Sequence, residues 1–251
     1  MPVFHRILAA SVAAATGAFA LAVVAPAADA PAPEPVVRLA ASVRPGRLPI
    51  PNGTPMTLTI DTRFASVPAG GNFVLQSAEY YFGRGARFNW GLFPTCSVAK
   101  LQAARGRLSA CPRGSKIGSG YAAGTAVSVG VSSRASIAMF NGPGGRSITM
   151  NAVVVNPAYI NETLSIPITR LRGGRYTFKI ASTLPEEFKT ILDGDIVVSR
   201  LFITTGATRM VDGVRRGLFE AKDCPRAGSA IHGDFVFNQG RRASADLTVV
   251  C

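Results

Sequence analysis

The chain has 251 residues, 47% of them hydrophobic, which is enough to bury a full core. Its net charge is +13, with arginine outnumbering lysine 22 to 5, and the cations are scattered through the chain. No helix-turn-helix, finger or RNA-binding signature accompanies them, so nucleic acid is excluded as the expected partner.

At the amino terminus, "MPVFHR" supplies a short cationic region, and Ile7 to Ala28 follow without a charge. Small-residue patterns "APA" (25–27) and "ADA" (28–30) complete the layout of a secretory signal peptide. Pro31 disfavours a cut after Ala30, so the expected cut lies after Ala27 or Ala28. Left uncleaved, a run of about 20 apolar residues would be a membrane anchor. Its high alanine content favours cleavage. Residues 1–28 are therefore read as a signal peptide. The Pro/Ala-rich stretch 29–53 has no obvious period and is read as an extended spacer.

From residue 54 onward the chain reads as strands. "TPMTLTIDTRF" (54–64) alternates Met56, Leu58 and Ile60 with Thr57, Thr59 and Asp61, the period of a half-buried strand. Similar runs follow at 71–82, 115–129, 135–140, 146–155, 161–169, 175–182, 195–204, 218–221, 230–237 and 242–250. Turn residues fill the gaps, as in "NGPGG", "LDGD" and "VDGVRRG". The expected fold is all-β, an antiparallel β-sandwich or jelly roll over 54–251. Two short helices are expected beside it. One spans 97–108, capped by Ser97 and ended by Gly106; the other spans 184–194, opened by Pro185.

The stretch "SACPRGSKIGSG" (109–120) tests for enzymatic chemistry. Lys116 follows Ser115 where a phosphate loop needs glycine. The relaxed G-x-G-x-x-A of Gly118, Gly120 and Ala123 lacks a preceding strand and an acid about 20 residues on. His232 is the one histidine outside the signal, and no G-x-S-x-G elbow exists to pair with it. Ile231 and Phe235 place His232 and Asp234 together on the opposite, solvated face of a strand. No metal set and no cofactor motif emerges, and the stretch reads as a staple followed by a turn.

Four cysteines in an exported chain imply two disulfides; three connectivities are possible, and the economical one joins sequence neighbours, 96–111 (Cys96, Cys111) and 224–251 (Cys224, Cys251). "CPRGSKIGSG" (111–120) and "CPRAGSAIHGD" (224–234) share a pattern that two related half-domains would produce. The motif C-x14-C-P-x-G-S-K-I-G-S-G, together with the Cys-closed C-terminal hairpin, resembles exported proteins of high-GC actinobacteria. That resemblance covers roughly 93–124 and 184–251. It implies export and a β-sandwich, and it transfers no site.

The expected function is that of an exported, non-enzymatic protein, secreted or at the cell envelope, with anionic envelope polymers or glycans as partners. Membrane contact is expected only through an uncleaved signal segment. The candidate binding surface lies in "EYYFGRGARFNWGLF" (79–93): Tyr80, Tyr81, Arg84, Arg87 and Trp90, where rings beside cations suit sugars or polyanions. The competing expectation for these rings is that alternate ones fill the core, with Trp90 against the 96–111 disulfide. An exported hydrolase acting on glycans or esters is the alternative function, and acids converging in a deep pocket would favour it.

Overall fold

The computed structural model describes residues 32–46 and 50–250. The signal segment, its cleavage sites and Cys251 lie outside the described residues. Sixteen strands follow one another: β1 (Glu34–Arg44), β2 (Pro55–Val67), β3 (Leu75–Gly83), β4 (Gly85–Phe88), β5 (Lys116–Ala126), β6 (Val131–Asn141), β7 (Ser147–Val154) and β8 (Ile160–Arg170). The remainder are β9 (Tyr176–Thr183), β10 (Thr190–Ile191), β11 (Gly194–Thr205), β12 (Thr208–Val211), β13 (Val214–Gly217), β14 (Phe219–Lys222), β15 (Ser229–Phe237) and β16 (Arg242–Val249). The expected all-β antiparallel class is what forms.

Apart from the small β12–β13 hairpin, the strands join one large antiparallel sheet in the order β16-β15-β3-β9-β8-β7-β6-β5-β11-β2-β14-β4, with β1 also on β2 and β10 on β11. β5 to β9 form a meander in which each strand pairs with the next. The sheet curls until β1 lies against β16, although no ladder pairing joins those two. Opposite walls then face each other across one apolar interior. Ile60, Phe82, Phe178, Ile231 and Val249 pack there with the inward side chains of β1.

Two expectations require correction. Residues 34–44 of the expected spacer are a strand, paired residue for residue with 57–67. The period-2 signal is carried by Val37, Leu39, Ala41 and Val43 facing inward and Arg38, Ala40, Ser42 and Arg44 facing outward. Alanine and serine weaken that signal in the sequence. Pairing with β2 supplies the rest.

The second correction concerns 184–194. It forms a single 3-10 turn at Glu186–Phe188 and then β10, not a helix. The Leu184 amide donates to Gln76 O (2.8 Å) and the Ile196 amide to Lys189 O (2.8 Å), so both ends are committed to the sheet. Ile191 is buried and Phe188 packs on the main core, contacts that a surface helix would forfeit. The "LDGD" segment is a turn, with Leu192 and Asp193 at φ 49° and 58°, as a two-residue type I′ hairpin demands.

The other expected helix forms as α1 (Val98–Ala103), with the Ser97 hydroxyl accepting from the Lys100 amide at 3.2 Å. It ends where Gly106, at φ 74°, donates its amide to Leu101 O. The Cys96–Cys111 bond closes this excursion, and Leu101 beneath it is fully buried with Ala138 and Phe140 of β6. No free thiol occurs among the described cysteines. The expected 224–251 bond falls on Cys251, outside the described residues. Both Cys-Pro-Arg stretches make the same local turn: the Ser115 amide bonds Pro112 O, and the Gly228 amide bonds Pro225 O.

Candidate functional site

Strand alternation sends one side chain in two toward the interior, and there the inner faces leave a cavity. Its volume is about 200 Å³. Along β7 alone Ile148, Met150, Ala152 and Val154 line it. Three two-residue steps make this wall about 20 Å long. Small side chains on the adjoining strands β6 and β5, Ala135, Ala122 and Gly124, keep the space open, while Leu58, Leu201 and Ile203 continue the lining. Among the described residues no charged side chain lines it.

Its polar groups are few and already engaged in part. Tyr80 OH and Thr62 Oγ1 lie 2.7 Å apart, and Thr205 Oγ1 donates to Ile117 O at 2.8 Å. Burial drives the Tyr80 hydroxyl pKa well above the usual phenol range, so it stays neutral. A cavity with such walls excludes water and accepts hydrocarbon.

The two ends of the cavity differ. At one end Trp90 stacks on Phe88 (5.6 Å between centroids, 13° between planes), and both pack on Phe219. Beside them Glu220, fully buried, accepts from Arg216 Nε (2.7 Å) and Nη2 (3.0 Å), from Arg87, and from the Gly217 amide (3.1 Å). Burial alone would raise the Glu220 carboxyl. The bonds from Arg216 and Arg87, Asn89 and the Gly217 amide outweigh it and hold the value down at about 2. Asn141, also fully buried, donates to Trp90 O (3.0 Å) and Phe93 O (2.8 Å) and ties the loop shut. At the other end the lining runs out at Ser133, Val154, Leu184, Pro185 and Phe188, beneath loops that join the strand ends.

The expected binding strip at 79–93 does not form one surface, because alternation divides it. Tyr80 and Phe82 point inward, while Glu79 and Tyr81 face out beside Lys179, Tyr176 and His232. Tyr81 donates to Glu79, and that bond pushes its hydroxyl up to about 12. Trp90 is buried in the aromatic plug with Phe88 and Phe219, in a cluster separate from the disulfide. Arg84 and Arg87 are exposed on either side of Gly85, and Arg87 is spent on Glu220.

His232 lies on the outer face with Asp234, as the alternation predicts, its Nε2 3.0 Å from Asp234 Oδ1. Nδ1 is 3.1 Å from Asp246 Oδ1 on the neighbouring strand β16. Among the described residues no cluster of three or more His, Cys, Asp or Glu has the makings of a metal site, and no helix is long and apolar enough to cross a membrane. Sequence reasoning missed the cavity. Its signal was the run of small inward residues in β5 and β6, legible only once the strands are paired. No known family model, curated protein or solved structure matches the chain.

Proposed function

We propose that the chain is an exported, non-enzymatic binding protein of the envelope or extracellular space whose ligand is a long, thin apolar chain held inside the sheet. The uncharged cavity, about 200 Å³ and walled along β7 by four consecutive inward residues, carries this reading. Leaving such a void empty costs roughly 5 kcal/mol at about 24 cal/mol per Å³. An acyl chain occupying it offsets that cost and needs no polar partner along its length. The buried disulfide and the signal-like amino terminus support export. The hydrolase alternative draws no support from the cavity, which no carboxylate lines among the described residues, and His232 sits on the other side of the sheet.

Titration of the full chain with cis-parinaric acid, a fluorescent fatty acid, tests the proposal. Saturable binding is expected, and Ala152→Phe, which fills the middle of the cavity, is expected to weaken it at least tenfold without lowering the melting temperature. Lack of saturable binding, or equal binding by a folded Ala152→Phe protein, overturns it.

A further inference from the structure

Six large apolar side chains are exposed at one end of the curled sheet: Val67, Val127, Val129, Val155, Tyr159 and Leu192. They belong to separate segments, at the end of β2 and in the β5–β6, β7–β8 and β10–β11 connections, yet strand directions bring all of these to the same rim. Val155 and Tyr159 are 72% and 69% exposed. An apolar rim on a water-facing protein needs a partner surface.

The wall directly below that rim is basic. Arg38 pairs in register with Arg63, Arg63 with Arg200, Arg200 with Ala123, and Ala123 with Arg134. Register partners share a face, so four arginines stand in one row across five adjacent strands, on the outside of the sheet. Tyr121 holds the far end of the row, with the Arg134 guanidinium 3.7 Å from its ring centroid and Arg200 at 5.6 Å. Asp61 answers Arg200 at 2.7 and 2.8 Å and Arg63 at 3.4 Å. Among the described residues, no carboxylate pairs with Arg38 or Arg134. The row sits three to six residues from the strand ends, roughly 10–20 Å along strands that a closed sheet tilts.

We infer that this end of the molecule docks on an anionic lipid bilayer, the apolar loop tips entering the interface and the arginine row facing the headgroups. A soluble polyanion would use the arginines and leave the tips without a role; the coincidence of both on one wall selects the bilayer. Tips buried 5–10 Å into the interface, a depth of that order being usual for interfacial apolar faces, bring the row to within about a Debye length, 8–10 Å, of the headgroup charge. Glu186, Glu187, Asp193 and Asp195 sit at the same rim, Glu186 matched by Lys189, and they oppose the attraction. None of the six tips or four arginines lines the cavity, so the inference stands apart from the ligand reading.

Flotation of the full chain with vesicles of phosphatidylcholine, with and without 30 mol% phosphatidylglycerol, is the test, the amino-terminal segment being common to every variant. Arg38→Gln/Arg63→Gln/Arg134→Gln is expected to weaken binding to the anionic vesicles by on the order of a hundredfold, about fivefold per charge near the surface. The matching triple lysine variant is expected to bind as the parent does. Asp193→Asn, which tolerates the left-handed backbone at that position, is expected to tighten binding by a few fold. Leu192→Asn/Val129→Ser/Val155→Ser is expected to abolish the binding that survives at high salt. Unchanged binding by either folded triple neutral variant overturns the inference. So does equal affinity for a soluble polyanion such as polyphosphate with the tips removed, which would make a polymer the partner.

Discussion

The two ends of the interior are built on opposite principles. At the Trp90 end the two largest buried polar groups act as anchors: Glu220 is gripped by two arginines and an amide, and the Asn141 amide nitrogen bonds loop carbonyls, while Asn141 Oδ1 and Thr149 Oγ1 have no hydrogen-bond partner among the described residues. Aromatic rings fill the space between the anchors. At the rim end the cavity lining reaches Ser133, Pro185 and Phe188, and the loops above expose valines, a leucine and a tyrosine. The contrast teaches where stability is concentrated and where the fold tolerates movement. Segments with few buried polar anchors open at lower free energy than segments locked by them.

The largest expected effect comes from the plug. Trp90→Ala removes a buried indole from between Phe88 and Phe219 and is expected to cost about 3–5 kcal/mol. Phe188→Ala at the other end, where the ring is half-buried, is expected to cost less than half as much. Denaturant melts of the two variants compare the ends directly, and equal losses would erase the contrast.

Next is Glu220→Gln. It leaves Arg216 and Arg87 without their carboxylate and is expected to cost roughly 2–3 kcal/mol at neutral pH. The folded carboxyl titrates at about 2, below its ordinary 4.5, so its contribution is complete above about pH 4.5 and drains away as pH falls toward 2. The parent should therefore lose stability across that window, and the variant should lose distinctly less. Parallel acid curves for the two proteins would show that the carboxylate is not the anchor described.

The smallest effect is expected on the outer face. His232→Gln disturbs contacts with two half-exposed acids and should shift stability by less than about 1 kcal/mol. It should also leave acyl-chain binding unchanged. A fatty-ester hydrolysis rate that fell a hundredfold in this variant would reverse the non-enzymatic reading.

Much of the architecture could be read in advance, because period 2 is a local property. β2, with Leu58 and Ile60 set against Thr59 and Asp61, declares itself, and so do the turns at "LDGD" and "VDGVRRG". β1 hid behind its alanines and serine and needed β2 to reveal it. The 184–194 segment carries helix-start chemistry, yet backbone bonds donated by Leu184 to Gln76 O and by Ile196 to Lys189 O decide the matter, and those partners are remote or across a turn. The cavity was least legible of all. Ala122, Gly124 and Ala135 look like weak strand formers until pairing sets them side by side on the inner face. Likewise the arginine row draws on residues 38, 63, 134 and 200, which no window along the chain can hold together.

The seam between β1 and β16 has a consequence for the order of assembly. From β5 to β9 each strand finds its partner a turn or a short loop away, so this block can zip up from local contacts. Closing the curl requires Leu39, Ala41 and Val43 near one end of the chain to meet Leu247 and Val249 near the other. Such a contact carries nearly the greatest loop-closure entropy the chain allows, and high contact order slows folding. A chain delivered across a membrane from its amino terminus would present β1 and β2 first and hold them waiting for β11 and β16. The outward arginines of β1 keep that waiting edge charged, which discourages another copy from adding a strand there.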